Sequence, residues 1–117
     1  MPSDEHLGAI PFEVRAALAA LKERLRARFA ERFLEMRLFG SFARGEQHEE
    51  SDVDVLLLFD QPLGAKDQEA LFHEVAAVDI RHRLWISPLI LSRDKLAQML
   101  ADELQLALDV EHEGLHV

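Results

Sequence analysis

The segment Asp52-Val53-Asp54-Val55-Leu56-Leu57-Leu58-Phe59 constrains the fold more than any other. Successive side chains of a strand point to opposite faces, and after its first three residues this one is apolar on both. Such a strand belongs at the centre of a sheet, with cover on each side. Aspartate has poor strand propensity, so two of them opening an apolar strand ask for a reason other than folding.

The flanking sequence supplies the cover. After Pro11, a favourable first-turn residue, Val14, Leu18, Leu21, Leu25 and Phe29 recur at three- and four-residue steps and predict a helix to about Arg32. Its basic residues are interleaved with glutamates, which reads as a solvated face rather than a nucleic-acid stripe. Leu34, Met36 and Leu38 alternate with Glu35, Arg37 and Phe39, predicting a strand with one buried face. A second helix is expected from Ala65 to Asp79, burying Leu71, Phe72, Val75 and Val78. A third strand follows over Leu84 to Leu91, where Pro88 implies a bulge or an edge position. Ser92 then caps a helix, and a last helix runs to about Glu113 before Gly114 stops it. Leu115 and Val117 suggest a short terminal strand. The order α-β-α-β-α-β-α predicts an α/β fold, with helices packed on a small mixed β-sheet.

The 117 residues suit one domain spanning 1–117. Without cysteine the chain has neither disulfides nor thiolate metal ligands. No apolar run nears the ~18 residues of a membrane span, and Met1 to Glu5 carries no signal-peptide pattern. A cytoplasmic protein with no membrane association is the expectation. A net charge of −9 repels a phosphate backbone and argues against general nucleic-acid binding. A bound metal reverses the local field, so a nucleotide substrate stays open.

Chemistry concentrates between residues 40 and 54. Gly40-Ser41 follows the first predicted strand, where a glycine lets backbone approach a phosphate and a serine at a helix start offers donors. Asp52 and Asp54, two residues apart on a strand, share a face with Cα atoms ~6.6 Å apart. Paired carboxylates suit a hard cation such as Mg²⁺, which takes oxygen ligands and keeps substrate phosphates as partners. Asp-x-Asp alone more often caps a strand end; the preceding Gly-Ser turn reverses that balance.

Gly40-Ser41-Phe42-Ala43-Arg44-Gly45 with Ser51-Asp52-Val53-Asp54 resembles the signature of the nucleotidyltransferase superfamily that includes DNA polymerase beta. The Ala-Arg-Gly step and the short chain are similar to the minimal nucleotidyltransferase (MNT) proteins. The resemblance implies a polymerase beta palm-like fold, with Gly40 and Ser41 holding a nucleoside triphosphate, ATP in the first instance. It makes Asp52 and Asp54 the catalytic Mg²⁺ ligands, with Arg44 and Ser51 as further nucleotide-binding candidates. It also implies a helical HEPN-type partner in a toxin–antitoxin pair, with AMP transfer from ATP to that partner.

The family pattern has a third carboxylate on a neighbouring strand. No Asp or Glu lies between Asp79 and Asp94, and Leu84-Trp85-Ile86-Ser87 occupies the expected place. The alternative function is therefore a catalytically weak or inactive subunit that neutralises its partner by contact. Two other strings carry less. His112-Glu113-Gly114-Leu115-His116 matches the zinc-protease pattern, but Gly114 interrupts the helix that the pattern needs. Arg81-His82-Arg83 reads as an exposed turn.

Overall fold

The structure, a computed structural model, describes residues 10–44 and 52–117. At its centre runs β2 (Val53–Phe59), where Val53, Val55, Leu56, Leu57 and Phe59 are all buried. β1 (Phe33–Phe39) pairs with it antiparallel, and β3 (Ile86–Ser92) pairs with it parallel on the other side. The short β4 (Leu115–His116) lies antiparallel to β1, giving the order β3-β2-β1-β4. The Lys22 ammonium ties the end of β4 down by donating to the Val117 carbonyl at 2.8 Å.

The two apolar faces of β2 meet two cores. On one side Val53, Val55, Leu57 and Phe59 pack against α1 (Phe12–Phe29) and α3 (Ala65–His82), with the one-turn α2 (Ser41–Arg44) between these helices in sequence. On the other side Leu56 and Leu58 pack against α4 (Arg93–Ala101) and α5 (Gln105–Glu113). Burying side chains of this size stabilises by about 1.5–3 kcal/mol each, so both helical layers are needed to hold one strand.

Several boundaries differ from the sequence reading. The first helix ends at Phe29, and Ala30–Arg32 tighten into a 3₁₀ turn after Ala30 adopts φ 52°. Phe72 is 49% exposed instead of buried. Leu71, Val75 and Val78 form the inward stripe, and Phe72 lies one step of helical rotation off it. That helix runs three residues further than expected, to His82, and closes at Arg83 in a left-handed conformation. The Leu84 amide then donates to the Asp79 carbonyl, so β3 begins only at Ile86. Pro88 stands on an edge strand without a bulge, since the β2–β3 register is unbroken from Val53↔Ile86 to Phe59↔Ser92. Ser92 caps α4 as expected, its Oγ accepting from the Lys95 amide at 3.2 Å. Gly114 ends α5 for a different reason from the expected one. Its φ is −64°, and a Cβ there would meet the Val110 carbonyl oxygen at 2.3 Å.

α1 and α3 are also joined by charge. Glu74 accepts from Arg24 and from Arg28, each at 2.8 Å, and these two donors hold its carboxyl below the ordinary carboxylate range. A lowered folded-state pKa stabilises above the unfolded value and is lost as pH falls through the folded one. Glu74→Gln is thus expected to cost about 1 kcal/mol at neutral pH. The difference from wild type should shrink below about pH 4, as read by urea denaturation at pH 7 and pH 3.

Candidate active site

β1 and β2 bring the two halves of the motif together. Phe39, the last residue of β1, is the ladder partner of Asp54. Gly40 then turns the chain with φ +76°, a left-handed conformation that costs a residue with a Cβ about 1–2 kcal/mol. The one-turn helix α2 (Ser41–Arg44) follows, anchored to the core by buried Phe42 and Ala43. A Cβ on Gly40 would lie 2.3 Å from Asp54 Oδ2 and 3.2 Å from Asp54 Cβ. The glycine therefore does two things at once, making the turn and leaving room for the carboxylate against it.

Asp52 is exposed just before β2, and Asp54 is half-buried one pleat further on. By the strand period they share the face of Leu56 and Leu58, away from α1 and α3. The side chains of Ser41 and Arg44, and Ser51 altogether, lie outside the described residues. The zinc-protease-like string is split between α5 and β4, so its histidines do not share a helix. His116 Nδ1 instead lies 2.9 Å from a Glu35 carboxylate oxygen.

The neighbouring strand carries no acid. Ser87 is the direct partner of Asp54 in the parallel ladder, so its side chain projects beside that carboxylate on the same face. Trp85 comes one pleat earlier, and its carbonyl accepts from the Val53 amide at 2.8 Å. Asp79, the nearest acid before β3 in sequence, belongs to α3 on the opposite side of the sheet. Its Oδ1 accepts from the Ile86 amide at 2.9 Å, so it fastens the start of β3. Burial raises its pKa, with the Ile86 hydrogen bond opposing. Nothing in the sequence pattern distinguishes this structural acid from a catalytic one; only the helix face does.

The donors suit Mg²⁺, which needs only one or two carboxylates because phosphates and water complete its shell. Among the described residues no group of three or more His, Asp or Glu side chains gathers into an all-protein metal cage. None of their helices is long and apolar enough to cross a membrane.

A glycine turn beside a paired-aspartate strand, on a mixed sheet between helices, is the arrangement that the nucleotidyltransferase resemblance implies. The chain belongs to the nucleotidyltransferase domain family, whose model matches residues 18–107. It is 47% identical over 49 residues to the protein adenylyltransferase MntA of Thermococcus cleftensis, which covers 42% of this chain and 48% of the relative. It is 40% identical over 53 residues to a putative protein adenylyltransferase of Methanocaldococcus jannaschii, covering 45% of this chain and 54% of that one. The matched segments thus span about half the length of these curated relatives. Among solved structures, a chain of a toxin–antitoxin crystal structure with AMP-PNP shares the fold. It superposes with a TM-score of 0.53 over 82% of this chain and 68% of that chain, at 19% identity. The nucleotidyltransferase resemblance read from residues 40–54 is borne out by the family match and its MNT type by the MntA relative, while the solved structure shares the fold.

Two outcomes test this geometry. Gly40→Ala should destabilise by about 1–3 kcal/mol through left-handed strain plus the clash with Asp54. In an Asp54→Ala background the same change should cost measurably less, so a double-mutant cycle by urea denaturation gives a coupling near the contact part alone. Asp79→Asn keeps an acceptor for Ile86 and removes a disfavoured charge, so stability at pH 7 should hold or rise slightly. Asp79→Ala should lose about 1 kcal/mol. The raised carboxyl pKa of Asp79 stabilises in acid and loses that contribution as pH climbs through it. The advantage of Asp79→Asn over wild type should accordingly vanish below about pH 4.

Proposed function

We propose that this chain is a Mg²⁺-dependent nucleotidyltransferase that moves AMP from ATP to a protein partner. We place it in a toxin–antitoxin pair, as the antitoxin to a helical HEPN-type protein. The observation that carries the reading is the close approach of the Gly40 turn to the Asp54 carboxylate, which suits a turn that takes phosphate beside a carboxylate that takes a cation. The names of the relatives, protein adenylyltransferases, and of the structural neighbour, a toxin–antitoxin with AMP-PNP, support the substrate and the setting.

In this reading Gly40 and Ser41 hold the triphosphate, with Arg44 and Ser51 beside it, and Asp52 and Asp54 carry the cation. Mg²⁺ held by Asp52 and Asp54 would supply positive charge that offsets the charge of the phosphates. The acceptor hydroxyl oxygen forms a bond to the α-phosphorus, the bond to pyrophosphate breaks and pyrophosphate leaves with that electron pair, and the hydroxyl proton passes to water. Asp52 and Asp54 orient the nucleotide for this step from one strand.

A second reading is favoured by Ser87, which stands in register with Asp54 where a third carboxylate would sit. A serine supplies neither negative charge nor a base, and losing a positioned general base costs ~10²–10⁴-fold. The chain would then bind nucleotide, transfer slowly or not at all, and neutralise its partner by contact. A radiolabelled ATP transfer assay with the co-expressed genomic neighbour separates the two. On the first reading, label reaches the partner with wild type, and Asp54→Ala abolishes it. On the second, wild type is slow and Ser87→Asp raises the rate. Transfer undiminished by Asp52→Ala and Asp54→Ala would refute both placements of the site.

A further inference from the structure

We propose that Trp85 forms the base-binding platform of this site, stacking its indole on the nucleobase of the triphosphate. The proposal rests on the nucleotide reading above and adds a residue that the motif does not contain. Trp85, the chain's single tryptophan, is 72% exposed, whereas tryptophan is on average a highly buried residue. Its direction is set by its neighbours. Leu84 and Ile86 both pack into the core shared with α1 and α3. Alternation therefore turns Trp85 to the opposite face, where Ser87 and Asp54 lie side by side. The Val53 amide donates to the Trp85 carbonyl at 2.8 Å, the bond that closes the Val53↔Ile86 step of the ladder, so Trp85 lies at the opening of β3 beside the start of β2.

Three strands thus end abreast on one face. The Gly40 turn closes β1, the two aspartates open β2, and Trp85 precedes β3. From the turn to the indole is two strand spacings, about 10 Å, a reach of the same order as that from the phosphates of a nucleotide to its base. A ligand held by its phosphates at the turn, with a divalent cation on the carboxylates in the middle, brings its planar ring to the third position. Stacking of a base on an aromatic side chain is sequence-tolerant and strong enough to matter. An indole kept in water at that place has no role in either core, since both cores close without it.

The single tryptophan also makes the test direct. Calorimetry and tryptophan emission are followed together while the full chain is titrated with ATP and Mg²⁺. Emission should change with the same midpoint as the heat. Trp85→Ala should weaken ATP binding about 5- to 100-fold, and Trp85→Phe should restore most of it. Inorganic tripolyphosphate, which has no ring, should bind wild type and Trp85→Ala alike. Normal ATP heat with unchanged emission, and ATP affinity in Trp85→Ala within about twofold of wild type, would overturn the platform and leave the proposed function standing. Equal losses for ATP and tripolyphosphate would overturn it as well, by showing a general disturbance of the site. So would a Trp85→Ala variant that keeps ATP but no longer co-elutes with the protein partner, which would give the indole to that surface. Absence of ATP heat in wild type would instead sink the nucleotide reading itself, and the platform with it.

Discussion

Everything distinctive about this molecule depends on one close approach, the backbone of Gly40 against the carboxylate of Asp54. A Cβ at residue 40 would fall 2.3 Å from Asp54 Oδ2, and the positive φ of 76° separately disfavours any side chain there. The two demands coincide because Phe39 and Asp54 are ladder partners, so the turn leaving β1 must pass over the residue opposite. The spacing between Gly40 and Asp54 in the sequence is thereby converted into contact by strand pairing. A turn of the same composition after an unpaired strand would meet nothing.

That contact also explains why the most buried strand of the protein begins with acids. β2 is sealed on both faces from Val55 onward, which fixes its register and leaves its first residues at the sheet's end. A rigid strand holds a carboxylate better than a loop does, because neighbouring ladders on both sides deny it freedom to swing. Aspartate's poor strand propensity is offset by the apolar run behind it. The strongest folding signal and the chemical one share a single segment for this reason.

Much of this was legible from sequence because period and punctuation agreed. The central strand, the inward stripe of α1, the Ser92 cap and the edge placement of Pro88 followed from local rules. The candidate pairing of the Gly-Ser turn with Asp52 and Asp54 was drawn from the motif, and the shared face of the aspartates from the two-residue period. Other features were not legible. Phe72 sits next to an inward leucine in sequence but one helical step away in space, and composition does not fix where a stripe ends. Gly114 reads as a helix stop, yet it is required by the nearness of the Val110 carbonyl. The service of Asp79 to the Ile86 amide depends on how α3 turns into β3, which no pattern in the sequence encodes.

The two sides of the sheet divide the labour in a way that bears on how the site can vary. Toward α1 and α3 lie the larger core and the Glu74 ion pairs, so that layer carries the fold. Arg37 stands on the other side, where burial opposes its charge and Glu35 and Glu111 outweigh that effect, keeping its pKa raised. This network braces β1 against α5 near the middle of the sheet, while the aspartates stand at its end. Because Ser87 on β3 and Trp85 just before it flank the core residue Ile86, their identities can change without disturbing the layer beneath. The position beside Asp54 is thus open to an acid or a hydroxyl, and the one just before β3 to an aromatic. Such substitutions come at little cost in stability, since neither side chain helps to close a core.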